Sequence, residues 1–218
     1  MTKHELATWF RYEINRRGIT QLCHFTRLSV LQSIRAHGLC NTQYLQQNEI
    51  PFIQNDRNRF DGHSNYISST VQFPNIKLLK RWRRCDSSED WVILFLNPEL
   101  LCQNVASNKF SPTNAAFCSG GFIMTGTEGF NRMFAAQVET RQGVQFRDNN
   151  LLACSTTNVQ AEGLLHQQKI DWSNILTIVV QNERNAERVS SIDSQMTIKK
   201  DSQFFQENGI GDKRRGRM

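Results

Sequence analysis

Asn158-Val159-Gln160-Ala161-Glu162-Gly163-Leu164-Leu165, with Asp171-Trp172-Ser173-Asn174-Ile175-Leu176-Thr177-Ile178-Val179-Val180 close behind it, is the stretch on which the fold turns. Both runs read as strands joined by a turn, the second rich in the β-branched residues that suit a pleated surface. Glu162 is the single charge of the first run. An ionised carboxylate is costly to bury without partners. Either its face is open to solvent, or the strand carries the carboxylate into a cleft.

Upstream, Leu6, Trp9, Phe10, Glu13, Ile14 and Arg17 recur at helical spacing until Gly18 breaks the pattern. Residues 19–25 read as a strand, and Thr26 or Ser29 then serves as cap for a helix closed by His37-Gly38. A long polar stretch, residues 41–64, reads as a loop and holds the charged run Asn55-Asp56-Arg57-Asn58-Arg59-Phe60-Asp61-Gly62. Residues 66–73 read as a strand, 75–84 as a helix after Pro74, and 91–96 as a buried strand. A helix over 127–137, a loop over 138–157, a helix near 183–189 and a strand near 196–199 complete the pattern. Strands and helices without regular βαβ alternation predict an α+β fold rather than a doubly wound sheet. Residues 1–208 are expected to form one domain, and the basic, Gly-containing tail 209–218 to be disordered.

The 218-residue chain is 39% hydrophobic and 21% charged, with net charge +6. That balance fits a globular protein and leans toward polyanionic partners. No apolar run approaches the roughly 20 residues that span a bilayer, and residues 1–5 open a helix rather than a signal core. A cytoplasmic location without membrane association is expected. The six cysteines form no Cys-x-x-Cys pair and no zinc-like Cys/His spacing, so no metal site is expected. Cys23 and His24 are neighbours on a strand and point to opposite faces, which argues against a thiol–imidazole pair.

His24-Phe25-Thr26, Arg59-Phe60-Asp61-Gly62, Phe73-Pro74-Asn75 and Gln160-Ala161-Glu162 stand in that order along the chain. Together they resemble the DarT family of DNA ADP-ribosyltransferases, over roughly residues 5–200. Ile67-Ser68-Ser69-Thr70-Val71-Gln72-Phe73-Pro74-Asn75 and Ser111-Pro112-Thr113-Asn114-Ala115-Ala116 look more like its guanine-modifying branch than the thymine-modifying one. Gly163 and Ile76 depart from that pattern, which would place an aliphatic and an aromatic residue there. The resemblance implies a split, mainly antiparallel β-sheet with flanking helices. It also implies NAD as donor of ADP-ribose, single-stranded DNA as acceptor, a role as toxin and an antitoxin partner with a macrodomain.

The resemblance distributes roles. Glu162 would bind the ribose 2′-hydroxyl, stabilise an oxocarbenium-like transition state and help take a proton from the acceptor base. His24 would hold the adenosine ribose, with Thr26 beside it, and Asn75 would hold a loop or touch the cofactor. Arg59 would contact the diphosphate or the base, and Arg57 is an equal alternative, because one sequence does not fix the register of that loop. Each has an ordinary role as well: a satisfied strand-end histidine, a helix cap at Thr26 or Asn75, an exposed arginine.

Lys77, Lys80, Arg81 and Arg84 fall at i, i+3, i+4, i+7 on the helix after Asn75, while Leu78, Leu79 and Trp82 line another face. Such a stripe is either a solvated face or a nucleic-acid surface. Arg141, Arg147 and Phe146 lie in the stretch before Glu162, where an aromatic could stack on an unpaired base. Two rivals share these features: the same chemistry on thymine, RNA or protein, and a non-catalytic nucleic-acid-binding module built on the basic stripe.

Overall fold

The computed structural model describes residues 1–53, 61–148 and 151–215. Its elements in chain order are α1 (Lys3–Arg17), β1 (Leu22–Arg27), α2 (Leu31–His37), β2 (Leu39–Cys40), α3 (Thr42–Gln47), β3 (Ile67–Val71), α4 (Ile76–Cys85), β4 (Trp91–Leu96) and β5 (Lys109–Ser111). There follow β6 (Met124–Thr125), α5 (Gly126–Arg132), β7 (Gln137–Thr140), β8 (Gly143–Phe146), β9 (Glu162–Leu165), β10 (Lys169–Ile170), β11 (Ile175–Val180), α6 (Glu183–Ile192), β12 (Ile198–Lys200) and α7 (Glu207–Arg214).

Helix α1 begins with a capping box between Thr2 and Glu5 and ends at Gly18, whose φ of 65° is the left-handed conformation that glycine adopts without strain. It buries Phe10 and Ile14 against the sheet, and the buried Glu13 is neutralised by Arg16 at 2.7 Å and Arg17 at 2.8 Å.

The main sheet has eight strands in the order β12-β11-β4-β1-β3-β9-β5-β6. Every pairing in it is antiparallel except β11 with β12. Strand β4 shows why it is central. All six of its residues are buried, and alternate side chains enter opposite layers. Val92, Leu94 and Leu96 join Phe10, Leu22 and Phe110, while Trp91, Ile93 and Phe95 join Ile76, Leu79, Phe204, Phe205 and Ile210.

The sheet divides at β3. Thr70 and Val71 pair with β1, whereas Ile67, Ser68 and Ser69 pair with β9. One strand therefore belongs to both halves, and a cleft opens where they part. This is the split antiparallel arrangement expected from the sequence, within an α+β fold.

Several details differ from the sequence-based expectations. Strands β9 and β11 are not neighbours: β9 lies between β3 and β5, and β11 between β4 and β12. The connection between them holds β10, which pairs with β2, so it is a crossover rather than a turn. Residues 138–157 are not all loop, because β7 and β8 form a hairpin through Arg141 and Gln142. The helix expected over 127–137 stops at Arg132, and the polar stretch from residue 41 begins with α3, capped by the Asn41 side chain. No side-chain cap forms at Thr26, which stays within β1, and Ser29 donates instead to Glu89.

Of the tail 209–218 expected to be disordered, the part to Arg214 is helical, and 216–218 lie outside the described residues. Helix α7 runs to Arg214 and buries Ile210 in the layer that α4 covers. Its apolar anchor outweighs the basic composition that suggested disorder. Among the described residues, no helix is long and apolar enough to cross a membrane.

Candidate active site

Strand β9 delivers Glu162 to the floor of a cleft of about 770 Å³. The following residue is closely neighboured. A Cβ built at Gly163 would lie 3.2 Å from Ser69 Oγ, and that hydroxyl donates to the Gly163 carbonyl at 3.1 Å. The glycine thus leaves room for that hydroxyl.

Glu162 is only 7% exposed. Asn75 Nδ2 donates to its Oε1 at 3.1 Å, Asn114 Nδ2 donates to the same oxygen at 2.9 Å, and the Ala115 N–H donates to Oε2 at 3.3 Å. All three donors are neutral. Burial pushes the carboxyl up to about 7, the Ala115 and Asn75 bonds pull it down, Asp61 pushes it up and Asn114 pulls it down. Among the described residues the carboxylate is held by dipoles rather than by a cation, which keeps its charge available for whatever enters the cleft.

Asn75 is fixed from two sides. It sits at the N-terminus of α4, where its Oδ1 accepts from the Leu78 N–H at 3.2 Å. The expected helix cap and the expected site residue are the same side chain. Asn114 is set by the turn after β5, its Oδ1 accepting from the Ala116 N–H at 3.2 Å.

His24 bridges the parting half-sheets. Its Nδ1 lies 2.8 Å from the Ser68 carbonyl oxygen, which can only accept, so Nδ1 carries the proton. Burial lowers the imidazole pKa, outweighing the opposing effect of that bond, which favours the neutral ring. Neutral His24 then has an acceptor at Nε2, and both His24 and Thr26 line the cleft. Cys23 is buried on the opposite layer, and burial raises its thiol beyond the range of a nucleophile.

Asp61 lines the same cleft and is 9% exposed, with Oδ1 accepting from the His63 N–H at 3.2 Å. Arg57 and Arg59 fall outside the described residues. The basic helix divides: Lys77 and Arg81 line the cleft, and Lys77 reaches Gln142 on the β7–β8 hairpin at 3.2 Å. Lys80 and Arg84 flank a separate surface pocket, with Lys80 paired to Glu207 at 2.5 Å. Phe146 is 77% exposed. Arg147 is directed into its own loop, where Nη2 donates to the Ala153 carbonyl at 2.9 Å and the Thr156 carbonyl at 3.1 Å. That geometry braces the segment before Glu162.

Sequence reasoning gave no role to Asn114, Ala115 or Asp61. Asn114 and Ala115 lie in the segment that carries the resemblance to the guanine-modifying branch, but nothing in its spacing tells that its amides meet a strand almost fifty residues later. Among the described residues, no cluster of three His, Cys, Asp or Glu side chains could hold a metal ion.

A split antiparallel sheet with a buried glutamate at the parting of its halves defines the ADP-ribosyltransferase class of fold. Residues 23–207 match the family described as "ssDNA thymidine ADP-ribosyltransferase, DarT", and the chain belongs to this family. No curated protein matches it in sequence.

Solved structures agree in fold. Thermus sp. 2.9 DarT in complex with NAD+ superposes with a TM-score of 0.58 at 14% identity, covering 85% of this chain and 97% of that one. The same protein in complex with ADP-ribosylated ssDNA gives 0.54 at 12% identity, covering 86% and 97%. Thermosipho africanus DarTG in complex with ADP-ribose gives 0.59 at 14% identity, covering 85% of this chain and 51% of that one. The present chain thus spans about half the length of that DarTG chain.

Proposed function

We propose that this chain transfers ADP-ribose from NAD to guanine in single-stranded DNA, acts as a cytoplasmic toxin, and is countered by an antitoxin with a macrodomain. The observation that carries the reading is the Glu162 carboxylate, buried at the floor of a nucleotide-sized cleft and held by Asn75, Asn114 and the Ala115 N–H. Nicotinamide is a cationic leaving group, and its departure leaves positive charge on the ribose. A fixed carboxylate beside that carbon stabilises the transition state more than the ground state.

His24 Nε2 is an acceptor suited to a ribose hydroxyl, and Thr26 lies next to it on the cleft wall. Lys77 and Arg81 at the rim would meet phosphates, and exposed Phe146 offers a stacking face. Enzymes that react at a base act on it unpaired or extruded from the stack, which favours single strands.

Guanine is inferred from the segments around Phe73-Pro74-Asn75 and Ser111 to Ala116. Thymine is the second reading, favoured by the description of the family to which the chain belongs.

Mass spectrometry of four single-stranded oligonucleotides, each with one test base, incubated with NAD and protein, decides the matter. A guanine adduct absent with Glu162→Gln is the expected result. An adduct on thymine alone would replace the base and keep the chemistry. No adduct on any oligonucleotide at several flanking sequences would sink the DNA-transferase reading.

A further inference from the structure

The turn that follows β5 carries an aromatic side chain into the cleft close to Glu162. Strand β5 runs beside β9 with Ser111 opposite Glu162. Asn114 Nδ2 then donates to Glu162 Oε1 at 2.9 Å, and the Ala115 N–H donates to Oε2 at 3.3 Å. The Phe117 N–H in turn donates to the Asn114 carbonyl at 2.9 Å. Phe117 is thus tied, bond by bond, to the residue that holds the carboxylate. Its side chain is partly buried and lines the same cleft.

The ring has a backing. Phe122 lies nearly parallel to Phe117, with centroids 5.2 Å apart and planes 14° from each other. Neither ring joins the apolar layers that pack on the sheet. The backbone is bent sharply to stack them. Cys118 has φ 49°, Ser119 φ 52° and Gly120 φ 86°, so a run of left-handed residues includes two that are not glycine. That conformation is unfavourable for L-residues and persists only where the surroundings impose it, as they do at ligand clamps. The bend is closed by the Gly121 N–H on the Cys118 carbonyl and the Ile123 N–H on the Gly120 carbonyl, both at 3.0 Å. Ile123 anchors it by packing on Tyr66, Ala115 and Leu164.

An aromatic ring covered on one face and bordering a cleft is suited to a second flat ring on the other face. The sheet order decides which ring. Strand β1, with His24 and Thr26, lies on one side of β9, beyond β3, and β5 lies on the other side. The donor ribose belongs with His24, so the β5 side is left to the acceptor. We propose that Phe117, backed by Phe122, is the platform on which the acceptor base stacks once it leaves its strand. Phe146, far out on its hairpin, is then available to a flanking base. Stacking accepts any base, because every base has a π-face. Phe117 therefore grips the base without choosing it, and choice falls to polar groups that meet its edge. The proposal rests on the transferase reading above, whichever base is modified.

The test uses the oligonucleotide that the wild type modifies best, and a copy that is abasic at the modified position. Binding of both is read by fluorescence anisotropy with carba-NAD+, which does not react, filling the donor site. Wild type, Phe117→Leu and Phe117→Tyr are compared. Leu keeps apolar bulk without a π-face, and Tyr keeps the ring. Removing the base is expected to weaken binding to the wild type by at least about fivefold, and to Phe117→Leu by less than about twofold. Phe117→Tyr is expected to respond as the wild type does. Intact and abasic strands are read on the same folded fraction, so a lower melting point in Phe117→Leu does not disturb the comparison. An equal loss in wild type and Phe117→Leu, or no loss in either, would overturn the role of Phe117 while leaving the transferase reading intact. Weaker carba-NAD+ binding by Phe117→Leu without DNA would also overturn it, by placing the ring under nicotinamide. If the wild type modifies no oligonucleotide, the transferase reading fails and this inference fails with it.

Discussion

Asn75 donates to Glu162 Oε1 at 3.1 Å while its own oxygen accepts from the Leu78 N–H at 3.2 Å. One carboxamide thereby joins the first turn of α4 to the buried carboxylate on β9. The rim helix and the site floor are set by the same side chain.

Replacing Asn75 separates the two tasks. Asn75→Asp keeps a good helix cap and loses the donor to Glu162, whereas Asn75→Ala loses both. A lost cap costs about 1 kcal/mol, or roughly 2–4 °C in a chain of this size. Nicotinamide release is expected to fall at least tenfold in both variants. Helix stability, read by thermal melting near pH 5, where Glu162 is largely protonated, is expected to fall only in Asn75→Ala.

Activity should depend on the charge of Glu162. Burial raises its carboxyl to about 7 in the free protein. The kcat/KM for NAD is expected to fall as pH drops through 7, with an acid limb near that value. A limb near 4.5 instead would mean that the site does not hold the carboxyl as described.

Stability should carry the opposite signature. A carboxyl whose folded pKa is raised binds its proton more tightly folded than unfolded. Its stabilising contribution is full below about 4.5 and is lost as pH rises through about 7. Glu162→Gln has no such loss. The melting temperature of Glu162→Gln minus that of the wild type is expected to increase between pH 4 and pH 9, and a flat difference would contradict the burial of a titrating group.

The basic helix should act unevenly. Lys77 and Arg81 face the cleft, whereas Lys80 is paired with Glu207 and lies with Arg84 at a separate pocket. Neutralising Lys77 and Arg81 to Gln is expected to weaken single-stranded DNA binding and reduce the salt slope by about 1.4. Neutralising Lys80 and Arg84 is expected to change the slope by less than half as much. Fluorescence anisotropy across a salt series reads both.

Helix α7 should be structural. Ile210→Ala removes a buried anchor beside Phe204 and Phe205. A cost of about 2–4 kcal/mol is expected, visible as a lower midpoint in urea with little change of slope.

Much of this was legible in the chain. The strand 91–96 follows from an unbroken apolar run, and α1 from its spacing and Gly18. Glu162 stood out because a lone charge in an apolar strand needs a reason. Its partners were hidden, since Asn114 and Ala115 reach it only because β5 pairs beside β9, with Ser111 opposite Glu162. The β7–β8 hairpin was missed because polar residues alternate with few apolar ones, though Val138 and Thr140 do point inward. Arg147 and Arg214 read as solvent cations, yet each donates to loop carbonyls, Arg214 to Thr157 at 2.5 Å. Composition does not reveal that a guanidinium is serving as a brace.

Strand β3 passes unbroken through the parting of the sheet, with Ser69 in one ladder and Thr70 in the other. The two halves are therefore one mechanical piece, without a hinge between them. Closing the cleft like a jaw would require breaking a ladder next to Glu162. Affinity in such a site comes from preorganisation of the floor, and any adjustment to a ligand falls to the rim.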